Sequence, residues 1–241
     1  MSVIAKRILL RLDPARPHDG ALTRAIRLAK AFHAELAARM IADTRLASAV
    51  AIKGLDLERQ LRRAESSLRR ELTGLGERES ATWSLEVVHC AGILARECSM
   101  ESDDLVAIEL PRIELSMPDL RDEIESALAH ASGVILFPAM TRPTHGPVAA
   151  LVRDRKRATH LIEQADRIAE TLEVPLQVVE HDGAPSSKGE RRETADIATA
   201  VRRLDAVLAV ADASDPMVAA FIARPRYLRE IATPLLLLKS A

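Results

Sequence analysis

Three places in this 241-residue sequence carry side chains that could do chemistry. The first is RILLRLDPARPHDGA, residues 7–21, where an apolar strand delivers Arg11, Asp13, Arg16 and His18 into a Pro-rich turn ahead of a helix. The second is VRDRKR, residues 152–157, where Arg153, Asp154, Arg155, Lys156 and Arg157 follow another apolar run. Open α/β sheets hold ligands beyond the carboxyl ends of their strands, and four cations beside helix N–H groups could hold an anion. A solvated basic turn, partly neutralised by Asp154, uses the same residues and is the favoured reading. The third place holds His89, Cys90 and Cys98, donors suited to a soft metal. They lack the paired spacing of zinc modules, and free cysteine usually packs as a small hydrophobe, so no metal is expected.

The seven histidines (18, 33, 89, 130, 145, 160 and 181) are scattered, and each reads as a surface or half-buried residue rather than a base. There is no G-x-S-x-G elbow, Walker loop or metalloprotease helix. SSKGERRE, residues 186–193, lacks the glycines a phosphate loop needs before its lysine and reads as a connection. No catalytic residue is assigned, and the expected protein is not an enzyme.

The elements that must position these residues alternate in type. Strand patterns cover Arg7 to Leu12, Glu35 to Ile41, Trp83 to Val88, Asp104 to Glu109 and Gly133 to Phe137. Between them, Leu22, Ala25, Ile26, Ala29 and Phe32 form one helical stripe. Leu57, Leu61, Ala64, Leu68, Leu72 and Leu75 form a stricter seam, read as core packing in preference to a partner-binding helix. Asp19 and Asp119 stand where helix N-caps are expected. Strand, helix, strand in repetition implies a parallel α/β sheet with right-handed crossovers.

Bulk composition narrows the partners. Thirty-four Lys and Arg against 35 Asp and Glu leave a net charge of −1, which draws the chain to neither nucleic acid nor an anionic membrane. Five aromatic residues are too few for a base-stacking platform. The opening MSVIAKRILLRL meets Asp13 too early for a signal-peptide core, and no run has the length of a membrane span, so the expected compartment is the cytoplasm.

The plan then restarts. TRPTHGP, residues 141–147, reads as a linker between domains at 1–140 and 147–241. After it, PVAALVRD again runs from strand to aspartate, and Ala165, Arg167, Ala169 and Leu176 repeat Ala25, Arg27, Ala29 and Leu36 at an offset of 140. Further on, DAVLAV (205–210) echoes DLVAIE (104–109), and PLLLL (234–238) echoes GVILF (133–137), both at an offset of 101. The lost 39 residues match one helix and one strand, removable without a core cavity only at a sheet edge. Five strands, then four, are expected.

In the strand ending at Asp13, the amphipathic AIRLAKAFHAEL and the closing LREIATPLLLL, the chain resembles a tandem universal stress protein. The resemblance implies two domains of adenine-nucleotide alpha-hydrolase-like fold, strand order 3-2-1-4-5, the second lacking its edge strand and one helix. It also implies that the closing strands of the halves meet in an intrachain pseudo-dimer; a further homodimer stays open. Family members that bind nucleotide carry a Gly-rich stretch after the fourth strand, because phosphate must approach bare backbone. Neither ELPRIELSMPDLRDEI (109–124) nor VADASDPMVAAFIARPRYLREI (210–231) contains a glycine. Asp13 and Asp154 match the family's aspartate after strand one, and Ile41 lies where its backbone contact to adenine falls. The expected protein is therefore a cytoplasmic, non-catalytic regulatory protein with no cofactor, working through a protein partner or a small polar ligand in stress or metabolic control. The alternative is a binder of ATP, AMP or another small anion through Asp13, Ile41, Arg153, Asp154, Arg155 and Lys156.

Overall fold

The run RILLRL forms strand β1 (Arg7–Leu12), whose Ile8, Leu10 and Leu12 are fully buried. The structure is a computed structural model describing residues 5–12, 19–43, 57–90, 100–110, 117–138, 145–181, 197, 199–223 and 233–239. Its chain divides into two compact units, Met1–Ala107 and Ile108–Ala241.

In the first unit β1 is followed by α1 (Asp19–Ala31), β2 (Glu35–Asp43), α2 (Leu57–Glu79), β3 (Trp83–Cys90) and β4 (Asp104–Glu109), whose last two residues belong to the second unit. The strands lie in the order β3-β2-β1-β4, all parallel. The α1 stripe is wholly buried: Leu22, Ala25, Ile26, Ala29 and Phe32 lose nearly all contact with water. The α2 seam is buried at Leu68, Leu72 and Leu75 but only half-buried at Leu61 and Ala64, so the helix leaves the core in its first half. At Gly76 the helix comes so close to Trp83 that a Cβ would lie 2.5 Å from the indole.

The second unit contains α3 (Met117–His130), β5 (Gly133–Phe137), β6 (Val148–Val152), α4 (Thr159–Thr171), β7 (Leu176–Glu180), helical residues 199–203, β8 (Leu208–Asp212), α5 (Pro216–Ala223) and β9 (Leu235–Leu238). Strand order is β5-β9-β8-β6-β7. The two closing strands, β5 and β9, pair antiparallel from Gly133↔Leu238 to Leu136↔Leu235, while β9, β8, β6 and β7 run parallel. β5, β6 and β9 are buried at every residue, as strands covered on both faces must be.

Four sequence expectations change. β2 and β3 run two residues further than their apolar patterns, ending at Asp43 and Cys90, because each supplies the other's ladder: Ala42 pairs with His89 and Asp43 with Cys90. Asp119 lies inside α3, which starts at Met117, so it is not the cap. Leu208 stands opposite Val148 as Leu105 stands opposite Ile8, an offset of 103 where the sequence echo gave 101. A two-residue slip keeps every side chain on the same face, and in uniformly apolar strands nothing in the pattern reveals it. His181, read as surface or half-buried, is buried. The segment 141–147 falls largely, and residues 186–193 wholly, outside the described residues.

Candidate functional site

In the first unit the carboxyl edge of the sheet is described at β2 and β3. Ile41 is half-buried in β2 and pairs with Val88 of β3. One row back, Arg11, Arg39 and Glu86 align across β1, β2 and β3, and Arg39 Nε donates to Glu86 Oε2 at 2.9 Å. Asp13, Arg16, His18 and Cys98 lie outside the described residues, as do the side chains of His89 and Cys90.

In the second unit the predicted basic cluster is an exposed turn. Arg153, Asp154, Arg155, Lys156 and Arg157 all face solvent, Arg157 with 90% of its side chain accessible. Asp154 organises the turn: its Oδ1 accepts the Lys156 N–H at 2.9 Å, and its carbonyl accepts the N–H groups of Arg157 and Ala158 at 3.0 Å. Such a local side-chain bond is what makes Asp a turn residue. The β1–β2 and β6–β7 ladders share one register, Ile8↔Leu36 and Val148↔Leu176. On that register the place after β1 held by Asp13 corresponds to Arg153, with Asp154 one residue later, and the place of Ile41 corresponds to His181.

The geometry at the ends of β6, β7 and β8 involves residues the sequence did not single out. His181 follows β7, and its backbone N–H donates to the Val152 carbonyl at 3.0 Å. Its side chain is only 2% exposed, and Nε2 lies 3.4 Å from Oδ2 of Asp215, itself 10% exposed. Neither ring nitrogen makes a hydrogen bond. Asp215 caps α5, with Oδ1 accepting the Met217 N–H at 2.8 Å. Asp212 Oδ1 takes both the N–H and the hydroxyl of Ser214, at 2.7 and 2.6 Å. DASDP carried a legible helix start, an Asp before Pro at the first helical position. Nothing in the sequence pointed to a histidine 34 residues away.

Four amides at the turn from β8 into α5 are therefore already taken. Ala213 N–H donates to the Leu238 carbonyl, Ser214 to Asp212 Oδ1, Asp215 to the Asp212 carbonyl and Met217 to Asp215 Oδ1. Pro216 has no N–H. Among the described residues, no three His, Cys, Asp or Glu are grouped to hold a metal. No described helix is long and apolar enough to cross a membrane.

This arrangement of strands, helices and crevices has solved counterparts over nearly the whole chain. A protein assigned as a universal stress protein from Pseudomonas aeruginosa UCBPP-PA14 superposes with TM-score 0.57 at 19% identity, covering 98% of this chain and 93% of its own. A universal stress protein from Archaeoglobus fulgidus DSM 4304 gives TM-score 0.61 at 11% identity, covering 98% and 99%. The chain has the universal stress protein fold. A functionally unknown protein from Pseudomonas aeruginosa PAO1 shares it, with TM-score 0.58 at 18% identity over 98% of this chain and 92% of its own. No family profile and no curated protein matches the sequence. Within the universal stress protein fold, the turn after β8 occupies the mouth of an open α/β sheet, where ligands of such sheets are held.

Proposed function

We propose that this chain is a non-catalytic regulatory or binding protein on the universal stress protein fold, working through protein contacts or a small polar ligand and not through ATP. The observation that carries the reading is the turn after β8. A phosphate needs free N–H groups at a helix start. Here the amides of Ala213, Ser214, Asp215 and Met217 are spent inside the protein, and two carboxylates stand in their place. A phosphate charge about 4 Å from one carboxylate meets about 4 kcal/mol of repulsion at an effective dielectric of about 20. The exposed cations of the 153–157 turn act through water and offset little of it.

The test is a thermal-shift series with ATP, ADP and AMP at millimolar concentration. Binding at a hundredfold excess over Kd would stabilise the fold by about 2.7 kcal/mol. The reading expects no change in Tm with any of the three; a saturable rise contradicts it.

A further inference from the structure

We propose that helix α2 of one chain docks on helix α4 of a second copy, through rows of opposite charge on the outer faces of the two helices. The inference goes beyond the function proposed above and stands independently of it.

The basic row is on α2. Leu68, Leu72 and Leu75 turn one side of this helix into the core, and the helical period brings Arg63 and Arg70 out on the opposite side, where both are exposed. Their neighbours Arg62 and Arg69 are spent on Glu58 and Glu65. Arg63 has no side-chain bond among the described residues, and Arg70 donates only through Nε, to the Ser66 carbonyl at 3.3 Å.

The acidic row is on α4, whose buried side is made of Leu161, Ala165, Ile168 and Ala169. Glu163 and Glu170 lie opposite that side with Asp166 beside them, all three exposed. None of the three carboxylates has an ion pair or a hydrogen bond among the described residues.

This row is not inherited from the repeat. At the offset of 140, α1 carries Thr23, Ile26 and Lys30 in the same places. In the first unit α2 packs against α1, joined to it by the Arg27–Glu79 ion pair at 2.8 Å, and Ile26 is fully buried. The matching position of α4 is the exposed Asp166. A helix that lands on this flank from outside has to be basic, and the outer face of α2 meets that requirement.

The spacing agrees as well. Arg63 and Arg70 are seven residues apart, as are Glu163 and Glu170, so each pair spans about 10 Å along its helix. Two Arg–Glu pairs can form together whether the helices run parallel or antiparallel. Asp166 then falls opposite Ser66 or Ser67 and meets no like charge. Exposed ion pairs are individually weak and screened by salt, so the contact is a salt-sensitive association and not an obligate dimer.

Sedimentation equilibrium of the whole chain, at concentrations up to millimolar, tests this in about 20 mM and about 500 mM salt. In low salt the average mass should rise with concentration, and high salt should remove the rise. Arg63→Glu/Arg70→Glu and Glu163→Arg/Glu170→Arg should each lose it with Tm unchanged. An equimolar mixture of the two variants should regain it, because every basic row then faces an acidic one. If the reversed charges lower Tm, the neutral Arg63→Gln/Arg70→Gln replaces them, with the same loss expected. A wild type that gains no mass in low salt overturns the proposal. So does a rise that either double variant keeps, or one that the mixture fails to restore.

Discussion

Arg7 and Asp104 face each other across the first residues of β1 and β4 in a two-pronged ion pair, Nε to Oδ1 at 2.9 Å and Nη2 to Oδ2 at 2.7 Å. Asp104 is 1% exposed and also accepts the Glu101 N–H at 2.8 Å, while Arg7 is 23% exposed. The hydrogen bond to Asp104 holds the Arg7 guanidinium above its ordinary pKa. This clamp sits at the amino ends of the strands, opposite the edge where ligands would bind, so its role is to fix β1 against β4. Asp104→Ala would strand a partly buried cation and an amide, and should cost about 3 kcal/mol. Asp104→Asn, which can still accept from Glu101, should cost less. Urea unfolding midpoints measure both.

Beside the clamp, Lys6 Nζ lies 2.6 Å from Asp103 Oδ2 on the surface. The bond to Lys6 lowers the Asp103 carboxyl below 3.8, and the same bond raises Lys6 above 10.5. A lowered carboxyl stabilises above its unfolded pKa and loses that contribution as pH falls through the folded value. A raised amine stabilises below its unfolded pKa and loses that contribution as pH rises through the folded value. The pair is therefore intact across the neutral range and fails at both extremes. NMR titration should place the Asp103 carboxyl below 3.8, returning toward it in Lys6→Met or in 1 M salt. An unshifted Asp103 in the wild type would remove the pair from the account.

Gly76→Ala should destabilise despite alanine's better helix propensity. That propensity is worth about 1 kcal/mol. Against it, the new Cβ would stand 2.5 Å and 2.6 Å from indole atoms of Trp83 and 3.3 Å from the Ala81 carbonyl oxygen. Overpacking of this kind costs about 1–3 kcal/mol, so a net loss is expected. Trp83 is the sole tryptophan, and its fluorescence should change in the same variant.

Two turns show what was legible in the sequence and what was not. The Ala29–Ala34 turn closes with His33 N–H to the Lys30 carbonyl and Ala34 N–H to the Ala29 carbonyl. The same two bonds recur 140 residues on, from Glu173 to Glu170 and from Val174 to Ala169. The 140-residue echo was readable because apolar positions recur with helical period, and such positions are few enough to align. β1, β4 and β5 were readable in full because each is apolar and bounded by charge or glycine. The site was not. His181 and Asp215 meet only because β6 sits between their strands, a relation that no local pattern encodes. The exposed arginines of α2 were visible but are partly spent: Arg62 bonds Glu58 at 2.6 Å and Arg69 bonds Glu65 at 3.2 Å.

The same turns yield a stabilising change. His33 and Glu173 hold φ of 53° and 56°, a left-handed conformation that costs a non-glycine residue about 1–2 kcal/mol. Glycine removes that strain but has more freedom to lose on folding. Glu173→Gly, on an exposed side chain, should therefore gain up to about 1 kcal/mol, seen as a higher urea midpoint at unchanged slope.

The central claim is that the four bonded amides of the turn after β8, with the carboxylates of Asp212 and Asp215 beside them, do not hold a phosphate. Calorimetric titration of the wild type with magnesium-ATP, run beside Asp212→Gly/Asp215→Gly, measures it directly. The account predicts no saturable heat from the wild type at millimolar nucleotide. Saturable binding by the wild type that the double substitution abolishes would contradict it, since the carboxylates would then be holding the ligand they are said to exclude.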